Sequence, residues 1–383
     1  MPLYYPLIIY LIAFLTAYLI RLRFKLEFTT ARFETIDGLR GFLGLGVFIH
    51  HAAVWYRHNT SGVWEGPSSF VLIHFGQTSV TFFFMITGFL FINKLLNQRH
   101  SDFDWRAFFI SRVFRLAPMY YVSLLCIVLV ILFSSNWQWH ASPEELISSF
   151  VNWIFFTIYN NPLINGYWVV IINAGVEWSL PYEWLFYFSL PLIGLFILRI
   201  RPALLYLLLG LAFIIFFYQV HEVVPYYIYA FIGGGIAPLL LKYTSLKNWA
   251  KTRYASLLIL LCLVLIVQFQ TARNPFCILL ITLAFTLIAM GNSLFGLLKN
   301  ANFRFLGDMS YSTYLLHGIL LYSTFRLFFT TEVSQTFSLY QYLAIIFCLT
   351  PILVLISFVG FKFIEQPFMA LGKRLGKMKS AKQ

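Results

Sequence analysis

Residues 40–51 read RGFLGLGVFIHH, in which nine apolar or glycine residues separate an arginine from two adjacent histidines. The stretch belongs to an apolar run over 39–57 that is long enough to cross a bilayer as one helix. Comparable runs recur from one end of the 383-residue chain to the other. We therefore interpret the sequence as that of an all-α polytopic integral membrane protein.

The composition of the chain supports this interpretation. Hydrophobic residues make up 60% and charged residues 11%, whereas a soluble domain carries about a quarter charged residues. The formal net charge of +13 does not indicate a nucleic-acid partner, because basic residues collect in the cytoplasmic loops of membrane proteins. The four cysteines lie in apolar runs at unrelated spacings, so we expect packed core residues and no metal site.

The apolar runs predict eleven transmembrane helices, about ten in a core that follows one extra N-terminal helix. Their predicted bounds are 3–20, 39–57, 70–93, 117–133, 178–198, 203–218, 225–241, 254–270, 276–290, 310–328 and 341–364. The segment 147–159 is apolar too. We expect it to be a re-entrant or interfacial piece on the outer side, because a full crossing there would invert every later loop.

The basic residues predict the orientation of the chain. With the N-terminus outside, 24 of the 27 lysines and arginines fall in the predicted cytoplasmic loops and tail. The three others are Arg57, Arg273 and Arg326. The positive-inside rule then places the C-terminus in the cytoplasm.

Helical geometry distinguishes the two histidines. An α-helix turns about 100° per residue, so His51 lies within about 20° of Arg40 and His50 about 80° from it. Asp37 lies within about 40° of the same face. The predicted stripe has Asp37 and Arg40 at the inner mouth, and His51 about 16 Å above, in the outer half of the membrane. An ionisable residue inside a span is a functional hypothesis; the alternative is a neutral histidine hydrogen-bonded to a neighbouring helix.

Other ionisable residues lie at the membrane boundary or at a similar depth. Arg112 and Arg115 share a helix face before Pro118, which opens the next predicted span. The pair suits phosphate binding; the alternative, which the spacing alone favours, is plain positive-inside charge. Glu183 is predicted at the depth of His51, roughly 8–9 Å below the outer surface, as its acid–base partner. The alternative is a structural role, with Glu183 bonded to tryptophan or tyrosine groups.

The tenth predicted span begins LGDMSYSTYLLHG, residues 306–318. Ser310, Tyr314 and His317 share one helix face there. His317 is predicted to lie in the inner half of the membrane. The last span ends FKFIEQPF, where a proline is predicted to stop the helix and Glu365 to pair with an arginine at the inner surface.

These segments follow one another in a specific order: IDGLRG with its histidine pair, FFFMITGFLF, SRVFRLAP, WSLPYEWLFYFSLP, LGDMSYSTYLLHG and IEQP. Together they resemble the membrane-bound acyltransferase-3 family over about residues 33–370. The resemblance implies a multi-pass protein of the bacterial inner membrane that moves an acyl group, usually acetyl, from cytoplasmic acyl-CoA to a hydroxyl, often on a glycan beyond the membrane. It leaves 1–32 as an extra N-terminal helix with a basic inner loop, and 371–383 as a basic cytoplasmic tail.

The resemblance also assigns roles to residues. The candidate catalytic residues are His51 and Glu183. The candidate acyl-CoA-binding residues are Arg40, Arg112 and Arg115. The remaining matches form a supporting polar cluster: Asp37, Tyr311, Tyr314 and His317. Acyl-CoA is then a co-substrate, no bound cofactor is expected, and the partners are a glycan or lipid-linked saccharide acceptor and membrane lipids.

In the expected mechanism, the arginines hold the phosphates of acyl-CoA and His51 acts as general base on the acceptor hydroxyl. Glu183 orients the imidazole or stabilises its cation. The sequence has no GxSxG or HExxH, which favours direct transfer, with an acyl-histidine relay as the alternative. The rival class is a proton-coupled transporter that uses intramembrane His, Glu and Arg, and a non-catalytic membrane scaffold is a third.

Overall fold

The computed structural model describes residues 1–2, 4–25, 33–98, 103–197, 200 and 202–377. Some predicted features therefore lie outside the described residues. They are the first residue of the span 3–20, the loop 26–32, the last residue of the span 178–198 and the tail beyond Lys377.

Within these ranges the secondary structure is helical, apart from an isolated bridge between Ile164 and Tyr167. The α-helices are α1 Tyr5–Phe24, α2 Glu34–Ser61, α3 Phe70–Asn97, α4 Trp105–Ser134, α5 Pro143–Ile154, α6 Val169–Ile172, α7 Ser179–Phe196, α8 Leu204–Val220, α9 Pro225–Leu240, α10 Thr244–Ala250, α11 Arg253–Ile266, α12 Pro275–Ala289, α13 Ala301–Asp308, α14 Ser310–Tyr322, α15 Thr330–Gln335, α16 Leu339–Gly360 and α17 Gln366–Lys377. Short 3-10 helices lie at Val176–Trp178 and Leu297–Lys299, and π-helices at Ser323–Phe328 and Phe361–Glu365.

Several of these helices are suited to a bilayer. Among the described residues, four are long and apolar enough to cross it: α1, α3, α4 and the continuous helix Leu339–Lys377. The pair α10 and α11, bent by 70°, makes a fifth if it forms one broken span. Three further apolar helices, α8, α9 and α12, are shorter. The predicted all-α polytopic membrane fold is confirmed, and the number of crossings stays a prediction.

Helix α5 occupies much of the apolar outer segment. It has 12 residues, and its first turn is closed by a capping box between Ser142 and Glu145. At about 1.5 Å per residue it spans roughly 18 Å, less than the roughly 30 Å of the hydrocarbon core. The helix overlaps the segment 147–159, whose placement as an interfacial or re-entrant piece on the outer side stays a prediction.

Two helix boundaries differ from their predictions because proline did not act as a boundary. Helix α4 begins at Trp105, where Asp104 accepts a hydrogen bond from the Ala107 backbone nitrogen at 2.8 Å, and Pro118 lies inside the helix. Pro367 does not stop the last helix either: it is the second residue of α17, which continues directly from the π-helical turn Phe361–Glu365. The preceding π-helical turn rearranges the hydrogen bonds at this point.

The chain forms two compact units, which are described separately. The first contains Met1–Asn93 and Pro225–Phe358, and the second contains Lys94–Val224 and Val359–Gln383.

In the first unit, glycines on α2 allow close approach of α13 and the start of α14. A Cβ atom at Gly41 would overlap the carbonyl oxygen of Phe303. A Cβ atom at Gly44 would meet Ser310 Cβ at 3.5 Å, an ordinary contact. The segment 291–309, predicted to be an inner loop, therefore contains a helix that packs along α2 at backbone distance.

In the second unit, α17 packs against the first turns of α4. A Cβ atom at Gly372 would lie 2.7 Å from Phe114 Cβ, and one at Gly376 would lie 3.1 Å from Ala107 Cβ. The glycines thus form the contact face, while Lys373 on the same helix is exposed. This contact holds the N-terminal part of α4, the part that was predicted to be a loop.

Candidate active site

The polar stripe predicted on α2 lies on a single 28-residue helix. At its N-terminal end, Asp37 lies in the electrostatic field of Arg40 and of Arg304 from α13. Arg304 also donates to Glu34 at 3.0 Å, so acidic and basic groups alternate around this end of the helix. Sequence reasoning missed Arg304, because it assigned the residue to a cytoplasmic loop and not to a helix packed on α2.

His51 does not stand alone on its face. Its Nδ1 lies 2.9 Å from Nε2 of His317, and the two ring centres are 5.0 Å apart. His317 is completely buried, whereas His51 is half-buried. The Thr313 carbonyl, one turn earlier on α14, accepts a hydrogen bond from His317 Nδ1 at 3.1 Å.

This pairing corrects the predicted depths, which placed His51 in the outer half of the membrane and His317 in the inner half. Gly44 faces Ser310 across the helix contact, and each histidine follows its contact residue by seven positions. Because α2 and α14 run in the same direction from this contact, the seventh residue after it lies at the same height on both helices. The error arose because α13 was taken for a loop, which placed the start of α14 at the membrane surface.

His50 points elsewhere, as predicted from its angle on the helix. Its Nδ1 donates to the Leu72 carbonyl at 2.8 Å. Its ring also fills the space beside Gly76, where a Cβ atom would lie 2.6 Å from ring carbons. His50 thus connects α2 to α3.

The two predicted tyrosines, Tyr311 and Tyr314, precede His317 on α14 and differ in burial. Tyr314 is buried, and its ring centre is 6.2 Å from that of His317. Tyr311 is half-buried in the first turn of the helix. Tyr314 therefore contributes to the wall around His317.

Beyond His51, the C-terminal turns of α2 carry buried polar atoms that have no hydrogen-bond partner among the described residues. They are Nε1 of Trp55, Nδ1 of His58 and Nδ2 of Asn59. The Arg326 guanidinium carbon lies 5.0 Å from the centre of a Trp55 ring, and Arg326 donates to Asn59 Oδ1 at 2.9 Å. Buried polar atoms without partners usually indicate a water or ligand group.

In the second unit, Glu183 and Arg112 share one partner. The Tyr187 hydroxyl, one helical turn after Glu183, donates to the Glu183 carboxylate. It also hydrogen-bonds Arg112, whose guanidinium carbon is 5.9 Å from the centre of the tyrosine ring. The expected tyrosine partner of Glu183 is therefore present, and the spacing of four residues on α7 was the signal for it.

This contact corrects the predicted placement of Arg112 at the inner surface and Glu183 near the outer one. Arg112 is seven residues into α4, because the helix begins at Trp105. Tyr187 lies one turn further along α7 than Glu183, and it links the two side chains.

Arg115 and Glu365 form an ion pair, which confirms the predicted arginine partner of this glutamate. The Glu365 side chain has no exposed surface, and that of Arg115 is 17% exposed. Arg115 thus already has a carboxylate partner, and its assignment to acyl-CoA stays a prediction.

Sequence reasoning did not single out Glu177, a second buried carboxylate of the second unit. It is 3% exposed, and it accepts hydrogen bonds from Asn173 at 2.8 Å and Asn161 at 3.3 Å. Burial raises the pKa of the Glu177 carboxyl, and the two amides partly offset this effect. Glu177 holds the segment before α7 through these bonds, and the signal for it was a carboxylate four residues after an asparagine.

Comparison with known proteins gives one family and one weak relative. The family model described as an acyltransferase domain, that of the acyltransferase-3 family, matches residues 33–362. "Nodulation protein 10" of Rhizobium leguminosarum bv. viciae is 24% identical over 177 residues, which are 44% of this chain and 46% of the relative. The matched part of the chain thus spans less than half of that relative. No solved structure gives a significant match.

Proposed function

The chain belongs to the acyltransferase-3 family. We therefore propose that it moves an acyl group from cytoplasmic acyl-CoA to an acceptor hydroxyl beyond the membrane, and we propose acetyl as that group. The proposed acceptor is an extracytoplasmic glycan or a lipid-linked saccharide. Acyl-CoA is a co-substrate in this reaction, and the proposed location is the inner or plasma membrane.

The polar stripe of α2 is the observation that carries this proposal. It has Asp37 and Arg40 at one end of the helix and a half-buried imidazole, His51, on the same face three turns further. An acyl-CoA is charged at its nucleotide end and has a long pantetheine arm that ends in the thioester. A charged helix end and a base about 16 Å from it fit a donor of this shape.

The proposed donor site uses arginine side chains to hold phosphates by charge-assisted hydrogen bonds. Arg40 is the proposed contact in the first unit, and Arg112 in the second. Arg115 is a further proposed contact in the second unit, and binding a phosphate requires it to give up or share its ion pair with Glu365.

In the proposed reaction His51 is the general base. The acceptor oxygen forms a bond to the acyl carbon while the C–S bond of the thioester breaks. The proton of the acceptor hydroxyl passes to His51 and then to the sulfur of CoA, so that the products are an ester and CoA with a free thiol. Glu183 of the second unit stays a proposed catalytic residue, with the Tyr187 hydroxyl as its hydrogen-bond donor.

The outer end of α2 is the proposed approach of the acceptor. Trp55 and Asn59 follow His51 by one and two turns and carry buried N–H groups that no acceptor in the described part of the chain pairs with. Such donors suit the hydroxyl oxygens of a saccharide, which offer many acceptors. This end of the helix also lies away from the arginine that is proposed to hold the donor.

The test compares two adjacent histidines in purified protein. We expect His51→Ala to reduce acetyl-CoA-dependent transfer to an envelope glycan extract by about 10³-fold or more, because a positioned base contributes about 10²–10⁴-fold. His50→Ala should reduce it less than tenfold. CoA release and mass spectrometry of the extract are the measurements, and unaltered activity of folded His51→Ala contradicts the assignment.

The same preparation separates the rival classes. Proton-coupled transport by wild-type protein in vesicles without acetyl-CoA consumption would favour a transporter. A protein that neither transports nor consumes acetyl-CoA would favour a scaffold.

A further inference from the structure

The hydrogen bonds of His317 determine where its proton lies. Its Nδ1 is 3.1 Å from the Thr313 carbonyl oxygen, which only accepts hydrogen bonds. Nδ1 of His317 therefore carries a proton. In a neutral imidazole, the other nitrogen, Nε2, then has a free lone pair and acts as an acceptor.

The same argument extends to His51. Its Nδ1 is 2.9 Å from His317 Nε2, and because the latter accepts, His51 Nδ1 donates. A neutral His51 then has its lone pair on Nε2, the nitrogen outside this bond. The Val47 carbonyl, one turn before, is a further hydrogen-bond acceptor at the His51 ring.

The surroundings favour two neutral rings. His317 has no exposed surface, and within the described ranges neither ring forms an ion pair with a carboxylate. A buried charge without a partner is strongly unfavourable. A doubly protonated His317 that donates to His51 is therefore disfavoured in the resting protein.

We propose that His317 is a positioning residue that holds His51 in the tautomer with its proton on Nδ1 and its lone pair on Nε2. This inference rests on the proposed function for its chemical consequence. In that reaction Nε2 takes the acceptor proton as the oxygen–acyl bond forms and the C–S bond breaks, and it then returns the proton to the CoA sulfur. The Nδ1 proton stays on His51 throughout and remains hydrogen-bonded to His317 Nε2, whose lone pair stabilises the transient imidazolium.

The helix contact makes this arrangement rigid. Gly44 and Ser310 bring α2 and α14 together seven residues before each histidine. His317 is fixed at its other nitrogen by its own helix, through Thr313. Both rings are therefore already in position before the reaction, and a base is efficient when its position is fixed in advance.

Two substitutions of His317 separate a tautomer effect from a packing effect. His317→Gln keeps a hydrogen-bond acceptor near the position of Nε2, whereas His317→Leu removes it. His50→Leu is the matched control, because it replaces a neighbouring ring that is bonded to α3. Each variant is labelled with ¹⁵N-histidine in lipid nanodiscs, and the His51 signals among the 8 histidines are assigned by their loss in His51→Ala.

We expect wild type, His317→Gln and His50→Leu to show His51 protonated at Nδ1 and unprotonated at Nε2. His317→Leu should show protonation shared between the two nitrogens. With acetyl-CoA, kcat should fall about 100-fold in His317→Leu and less than tenfold in His317→Gln, while KM for acetyl-CoA stays within about threefold in both.

A wild-type spectrum with the His51 proton on Nε2 overturns the proposal, as does an equal loss of kcat in the Gln and Leu variants with unchanged tautomers. If His317→Leu does not fold, the wild-type and His317→Gln spectra still decide the tautomer. If wild-type protein releases no CoA from acetyl-CoA, the proposed function fails, while the spectra test the tautomer independently.

Discussion

One residue step on α2 separates a histidine that packs on α3 from the histidine that we propose as the general base. His50 faces α3, where the Leu72 carbonyl and the bare backbone of Gly76 hold its ring. His51, about 100° further round the helix, faces α14 and meets His317. The two imidazoles are identical in type, and their surroundings give them different bonding.

Tyr187 is the residue that joins Glu183 to Arg112 in the second unit. We expect Tyr187→Phe to destabilise the protein by about 1.5–3 kcal/mol, because it removes a hydrogen bond to a charged group. We also expect its effect on acyl transfer to be non-additive with that of Glu183→Gln, since both changes act on the same hydrogen bond: the first removes its donor and the second replaces its charged acceptor by a neutral amide. Thermal unfolding in detergent and a double-variant cycle of CoA release measure the two effects.

Tyr206→Phe is the control for this experiment. Tyr206 stacks on Phe109 with ring centres 5.9 Å apart, and the substitution keeps that contact. The control should unfold within about 0.5 kcal/mol of wild type. Additive effects of Tyr187→Phe and Glu183→Gln would show that the tyrosine does not act through the carboxylate.

At the scale of elements, the contact of α2 with α13 and α14 places the histidine pair. We expect Gly41→Ala to lower the thermal unfolding midpoint by at least about 5 °C, because the new methyl group would overlap the Phe303 carbonyl, which belongs to the backbone and cannot move aside. Acyl transfer should fall with it, since a shift of α13 moves the start of α14 and with it His317.

Gly44→Ala tests the same helix face without the overlap. Its methyl group would meet Ser310 Cβ at 3.5 Å, so the unfolding midpoint should stay within about 2 °C of wild type. Similar midpoints for Gly41→Ala and Gly44→Ala would mean that α2 and α13 are not in backbone contact.

The helix ends explain which parts of the site the sequence could predict. Hydropathy locates apolar runs, and it missed the amphipathic first turns of α4 and the polar helix α13, which it assigned to loops. Arg112 and His317 were consequently placed at the wrong depth. The helix face of each residue was predicted from helical spacing, which does not depend on where a helix begins.

At the scale of the whole molecule, composition and the order of segments were sufficient for the fold class and the family. The stripe from Arg40 to His51 followed from the 3.6-residue period alone. The bond between His51 and His317 did not, because it joins positions 266 residues apart and depends on the relative height of two helices. Spacing within a helix is local, whereas register between helices is set by packing.

The distribution of basic residues leads to a prediction about the whole chain. Because 24 of 27 lysines and arginines fall in predicted cytoplasmic segments, we expect an N-terminal tag to be accessible outside and a C-terminal tag inside. Protease treatment of right-side-out and inverted vesicles measures both positions, and tags on the same side would require an even number of crossings.

If the proposed donor site is at the cytoplasmic mouth of α2, membrane-impermeant acetyl-CoA supports transfer in inverted vesicles and not in intact right-side-out ones. Transfer from acetyl-CoA in intact right-side-out vesicles would place the donor site on the opposite face of the membrane.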